Sequence, residues 1–522
     1  MRTGFINGKL YGTEATGFIV NDHLFEVFSD DETIKENCEH IIDLKGMAVY
    51  PGFNDTHMHL VNLGFYLSNL PCNEFTSLKE MYKAIAARVD VKGHKWIRGR
   101  GFIEEQFEEK RMPTKKELDA ISTEVPICLT RVCGHRMICN SKALEMADIS
   151  EDGMYNGGKI YFDLGIVEEN AIDLVQAAWP IPSQRDIEEY IALGMKECNK
   201  YGITSVGSDD FISITNEYDE ALAALEGMGF RKELTVRVNE QCHFNCIEDF
   251  AKFLDEGYTT DMGDEFFRIG PLKLIMDGSL GACTAYMSEE YLNQKGNKGY
   301  PCLSKKELEQ YIKLAAHYNM PSAIHVIGDG AVDMVLDAYE DVVLEGNPLH
   351  HGLVHVQITR KDQLERIIKN KYVCYIQGIF IDYDSLIVKE RVKEETLHTS
   401  YAFKTLMEGT LCANGSDAPV EMPSVLKGIQ CAVTRKSVSY GTGMNPSEAL
   451  SVQQAIDSFT INGAKMSGEE AIKGSLEAGK LADFVILDQC IEECDPEMIS
   501  MIHVLSTYMD GKEVYHNDSN YH

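Results

Sequence analysis

The sequence predicts an α/β protein: a (β/α)8 TIM-like barrel with a small β-sandwich domain formed by both termini and a subdomain inserted after the first barrel strand. Three observations lead there. Short apolar runs lie near 53–57, 203–207, 235–240, 272–276, 322–326, 352–356, 373–377 and 411–413, and helical periodicity fills most of the gaps between them. Strands that alternate with helices form a parallel sheet, and eight such units close a barrel of roughly 250 residues, about 31 per unit. The two ends of the chain read instead as short strands and turns.

Taken in order, residues 3–10 and 16–20 alternate weakly, and Asn7-Gly8 is a hairpin signal. At the far end Asp483–Leu487 is a strand run, followed by 502–508 and 512–515 around the turn Asp510-Gly511. Chain termini often lie close together, so residues 1–50 and 475–522 are expected to share one β-sandwich domain. The barrel then spans 51–474. Its first step, from 57 to 206, is about 118 residues longer than one barrel unit. That excess predicts the inserted subdomain over 66–185, with a helix over 78–89, a capping box at Thr114–Glu117 and a turn at Gly157-Gly158. Between the fourth and fifth strands about 20 extra residues fit the Gly-rich loop 278–302. A capping box from Ser304 to Glu307 opens a helix over 304–318, and 331–345 and 360–369 are amphipathic.

Composition bounds the function. The chain has 522 residues with 49 Lys and Arg against 82 Asp and Glu, a net charge of −33. That field repels phosphate backbones and argues against nucleic acid as a partner. No apolar run approaches the roughly 18 residues of a membrane helix, and MRTGFINGKL has no apolar signal core, so no membrane partner is expected. The 15 cysteines include no CxxC pair. They fit a reducing cytoplasm and mostly read as small buried hydrophobes. The expected partner is a small-molecule substrate, with a homodimer as the commonest closed assembly.

The chemistry starts at His57-Met58-His59. Residues two apart on a strand point the same way, so both imidazoles face the barrel mouth, where such folds keep their chemistry. His325 ends AIH, His355 ends GLVH, Asp417 follows ANGS, and Lys273 lies in PLKLIM. Each has a structural reading alone: a core histidine, a turn cap, a snorkelling lysine. Together, at the ends of strands one, four, five, six and eight, they form an N/O set that suits Zn2+, one or two per chain, with Mn, Fe, Ni or Co as alternatives. A buried lysine loses its proton readily, and the neutral amine can add CO2 to become a carboxylated lysine, an anion able to bridge two metals.

These stretches resemble the amidohydrolase superfamily, specifically the YtcJ-like metal-dependent hydrolases, which include N-substituted formamide deformylase-like proteins. The matching segments are PGFNDTHMHL, GHRMICNSKAL, KLIMDGSLGACTA, AIHVIGDGAVDMVLDAYE, HVQI, GSDAPV and GKLADFVIL, from residue 51 to 487. The resemblance implies that His57, His59 and Asp417 hold the more buried metal, that His325 and His355 hold a second, and that carbamylated Lys273 bridges them. A one-metal site with an unmodified Lys273 is the alternative. Val354 stands before His355 where relatives often have Glu. His350 and His351 are competing candidates earlier on the same segment.

The activity so implied is hydrolysis of a C–N amide-type bond, other than a peptide bond, by metal-activated water. Asp417 takes the water's proton and returns it to the leaving amine. His135 and Arg136 are candidate substrate contacts. Asp329 either contacts substrate or caps the next helix, and Trp96 and Arg98 either line the pocket or serve structure. Two other readings are a deaminase of the same superfamily and a non-catalytic barrel scaffold. The deaminase lacks its Glu three residues after a metal histidine, and the scaffold is disfavoured by six filled ligand positions. No GxxxxGK[ST] loop and no G-x-S-x-G elbow is present.

Overall fold

The computed structural model describes residues 2–90, 96–131, 134–214 and 217–518. They divide into two compact units, residues 1–63 with 184–522, and residues 64–183.

The larger unit is built round eight parallel strands: β1 Phe53–Met58, β2 Ile203–Ser208, β3 Arg237–His243, β4 Phe267–Ile275, β5 Ser322–Val326, β6 Gly352–His355, β7 Val373–Ile376 and β8 Cys412–Asn414. Their spatial order follows their chain order from β1 to β8. Every residue of β1, β2, β6, β7 and β8 is buried, as expected for strands covered on both faces. The sheet nearly closes on itself. Thr56 Oγ1 donates to Asn414 O at 2.9 Å. Just beyond the strands, Asp417 N donates to His57 O and His59 N to Ala418 O, both at 2.8 Å. All eight predicted strands are present, and the predicted helices appear as Lys305–His317, with its Ser304–Glu307 capping box, Asp329–Val342 and Lys361–Asn370. Residues 276–304 carry neither helix nor strand.

Two further sheets come from the ends of the chain. One orders Leu24–Ser29, Gly17–Asn21, Arg2–Ile6 and His40–Asp43; the other orders Lys9–Leu10, Ala48–Pro51, Phe484–Leu487, Val504–Met509 and Lys512–His516. Phe5, Phe18, Phe25 and Phe484 pack with Tyr508 as their shared core. Asp510-Gly511 turns a true antiparallel hairpin. Asn7-Gly8 does not. Arg2–Ile6 pairs with Gly17–Asn21 and His40–Asp43, whereas Lys9–Leu10 pairs with Ala48–Pro51 in the other sheet. Asn7 does adopt the left-handed conformation the dipeptide favours, at φ 55°, but the turn hands the chain from one sheet to the other. Burial of Phe5 against Phe18, ring centroids 4.7 Å apart, outweighs the local signal.

The smaller unit has a seven-stranded sheet and a core of Leu78, Met81, Ile85, Phe102 and Phe107 among others. Its helix Leu78–Val89 is capped by Ser77, and the Thr114–Glu117 capping box opens Lys115–Ile121. The turn predicted at Gly157-Gly158 falls one residue earlier: Asn156-Gly157, both left-handed at φ 45° and 86°, joins the antiparallel strands Gly153–Tyr155 and Gly158–Tyr161, and Gly158 already pairs with Tyr155.

Candidate metal centre

β1 delivers the first two imidazoles. His57 is fully buried, and His59 follows just past the strand end. Their Nε2 atoms lie 3.4 and 3.2 Å from the same oxygen, Asp417 Oδ1. Asp417 reaches it from just beyond β8 in a left-handed conformation, φ 59°, and is itself buried. Lys273, on β4 and 1 % exposed, brings Nζ to 3.1 Å from His57 Nε2. His355 ends β6, and one ligand atom each from His57, His355 and Asp417 lie within 4.8 Å of one another. His325, next to last in β5, packs its ring 4.5 Å from that of His355. The structure thus gathers all six expected ligand positions at one end of the barrel. The tightest donor set takes in His355 rather than His59, which the resemblance pairs with His57 and Asp417. His355 and Val356 both adopt left-handed backbone, φ 77° and 51°. That conformation is costly for a β-branched residue and is found where a site over-determines the chain.

The electrostatics prepare the set for a cation. Burial, reinforced by the Lys273 charge, pushes His57 down to about 4, and burial holds His355 well below the usual imidazole range. Both rings are therefore neutral, with a lone pair to give. Burial would raise the Asp417 carboxyl, but the His57 and His59 rings beside it hold it well below the carboxylate range. Burial lowers His59, yet Asp417 and Asp209 outweigh it and raise the ring to about 9. Burial also lowers Lys273, against the pull of Asp209 and Asp417.

Sequence reasoning missed the groups that orient these ligands. His57 Nδ1 donates to Gln241 Oε1 at 2.7 Å, and Gln241 Nε2 donates to Thr56 O at 2.9 Å, which fixes the amide. His355 Nδ1 donates to Gln377 Oε1 at 2.7 Å, with Gln377 Nε2 on Tyr375 O at 3.1 Å. His59 Nδ1 donates to Asp209 O at 2.9 Å. In all three imidazoles Nδ1 is engaged, leaving Nε2 as the ligand atom, the arrangement of metal-bound histidines. Asp277 accepts from the backbone of Ile327, Gly328 and Tyr286 at 2.8–3.0 Å and so shapes the turn after His325. His325 Nδ1 is buried 3.2 Å from Asp277 Oδ1 without hydrogen-bond alignment. Asp209 also escaped notice, although Gly207-Ser208-Asp209 at the end of β2 repeats Gly415-Ser416-Asp417 after β8. Its carboxylate approaches His243 Nδ1 at 3.4 Å and Lys273 Nζ at 3.7 Å. β3 runs three residues past the predicted 235–240, to His243, which is why that histidine went unread.

The remaining candidates sit as follows. Asp329 opens its helix, 2 % exposed, and its carboxylate accepts from Ser288 N at 2.8 Å, from the Ser288 hydroxyl and from Arg360 Nη1 at 2.9 Å. His351 lies at the opposite end of the barrel from the mouth, just before β6, hydrogen-bonded to Ser322 and pushed down to about 4 by burial. In the smaller unit, Trp96 is buried with Cys128, Met137 and Val167. Arg98 lies over the Phe65 ring at 4.1 Å. His135 is exposed and meets Glu169 at 3.0 Å, and Arg136 meets Glu168 at 2.7 Å.

A barrel whose mouth holds two neutral, pre-oriented imidazoles, His57 and His355, beside an ionised carboxylate fits a divalent cation, and defines a metal-dependent hydrolase. Residues 40–515 match the amidohydrolase family, and the chain belongs to it. It is 30% identical over 527 residues to the putative amidohydrolase YtcJ of Bacillus subtilis (strain 168), covering 98% of each chain. It is 26% identical over 487 residues to the N-substituted formamide deformylase of Arthrobacter pascens, covering 90% of this chain and 89% of that one. Among solved structures, an uncharacterized metal-dependent hydrolase from Pyrococcus furiosus superposes with a TM-score of 0.79 at 28% identity, covering 95% of this chain and 100% of that one.

Proposed function

We propose that this enzyme hydrolyses a C–N amide-type bond, other than a peptide bond, in a small molecule, using zinc. The observation that carries the metal reading is the shared orientation of His57, His59 and His355, each anchored through Nδ1 with Nε2 left to bind. The choice of bond is supported by the relative named an N-substituted formamide deformylase. When bound, the cation supplies Lewis acidity, lowering the pKa of water toward roughly 7 and polarising a carbonyl.

His57, His355 and Asp417 would hold it, with His59, His325 and Lys273 completing a set for a second. Addition of the Lys273 amine to CO2 forms an N–C bond and releases one proton, giving an anionic ligand. Among the described residues, Asp417 is the only carboxylate within hydrogen-bond distance of the His57 and His59 Nε2 atoms. It acts as general base and then acid: it takes a proton from the attacking water and returns it to the departing nitrogen as the C–N bond breaks. Water's oxygen and one of its protons stay with the acid product, and the other proton leaves with the amine. The test is turnover of a panel of N-formyl and N-acyl amines by zinc-loaded enzyme, read as amine release. Release that His57→Ala abolishes supports the reading, and no release from any member with zinc bound contradicts it.

A further inference from the structure

His243 is anchored like the ligand imidazoles yet stands outside the donor set. It ends β3, two residues after Gln241, so both side chains leave the same face of the strand. Gln241 reaches into the barrel, to His57 and Thr56. His243 therefore faces the same interior one layer nearer the mouth, in register with Lys273 on β4. Its Nδ1 lies 3.4 Å from Asp209 Oδ1, and Asp209 is 2 % exposed. The side chain of His243 is 17% exposed, and among the described residues its Nε2 has no hydrogen-bond partner. Nor does it join the cluster of His57, His355 and Asp417 ligand atoms.

Nδ1 is turned toward the Asp209 carboxylate, so Nε2 is the ring nitrogen left open, and an imidazole that gives its Nδ1 proton to a carboxylate accepts a hydrogen bond there. An amide that is cleaved here offers one such donor beside its carbonyl, the N–H. We propose that His243 binds substrate by accepting a hydrogen bond from the amide N–H, so that the enzyme selects secondary amides over N,N-disubstituted ones. This rests on the amide-hydrolase reading above. An N-methyl group in place of the hydrogen leaves a half-buried acceptor unpaired, which a site built round that bond rejects.

The experiment compares N-butylformamide with N-butyl-N-methylformamide in wild type, His243→Leu and His243→Gln. Turnover is measured on the active enzymes, and binding by calorimetry on the same enzymes carrying Asp417→Asn. The expected result is a preference of about 10-fold or more for the N–H compound in wild type. It should collapse toward equality in His243→Leu, return in part in His243→Gln, whose amide oxygen also accepts, and leave zinc content unchanged in both. A preference that survives His243→Leu, or loss of zinc from that variant, overturns the proposal. Discrimination in binding without turnover of either compound would count against the hydrolase reading while upholding the role of His243.

Discussion

His57 gives its Nδ1 proton to Gln241 across 2.7 Å, and the glutamine is itself fixed by its bond to Thr56 O. The partner is neutral, so it sets which nitrogen of the ring carries the proton without adding charge. Gln377 does the same for His355. A neutral anchor leaves the positive charge of a bound cation to be balanced by Asp417 and, if carbamylated, Lys273.

Removing that anchor is expected to weaken metal binding while sparing the fold. Gln241→Leu and Gln377→Leu should each lower zinc affinity about 10–100-fold. Titration against a chromophoric chelator measures this, and wild-type affinity in both variants would show that the glutamines do not position the ligands.

The Asp417 carboxylate has two assigned duties, and Asp417→Asn separates them. The amide keeps an oxygen for the cation but cannot take a proton. Most of the zinc should remain, and turnover should fall by about 10²–10⁴-fold. Turnover near wild type would remove Asp417 from the proton transfers.

Lys273→Ala tests the carbamate. The variant should lose activity and regain part of it in the presence of acetate or propionate, which can occupy the emptied volume as an anionic ligand. If the variant is as active as wild type, Lys273 has no part in the centre.

How much of this was legible in the sequence depends on how locally each feature is encoded. The eight strands and the capped helices were, because apolar runs and the Ser304–Glu307 box act within a few residues. So was the gathering of the six candidate positions at one end of the barrel, since each lies in or just after an apolar strand run. Gln241 and Gln377 were not. A glutamine anchors a histidine only through register between strands, as when β3 carries Gln241 to His57 on β1, and no short motif records that. The Asn7-Gly8 hairpin failed for the converse reason: the local turn forms, but the aromatic core decides which strands pair.

Away from the centre, Asp384 gives a pH prediction. It is buried, and burial pushes its carboxyl up to about 6, against the Tyr401 hydroxyl that donates to it at 2.7 Å. A folded-state pKa above the unfolded one means that the folded protein holds this proton more tightly. The resulting stability is full below the unfolded value near 4 and is lost as pH rises through about 6, a change on the order of 2–3 kcal/mol. Asp384→Asn cannot titrate, so its stability relative to wild type should improve between about pH 4 and pH 8. Urea unfolding across that range measures it, and parallel profiles would contradict it.

The central claim is that these strand ends hold a catalytic cation, and metal content after reconstitution tests it most directly. Elemental analysis of zinc-loaded, desalted protein should find about one to two ions per chain, and His57→Ala combined with His355→Ala should find close to none. A folded wild-type protein that retains no divalent metal, or a double variant that retains as much as wild type, would contradict the account.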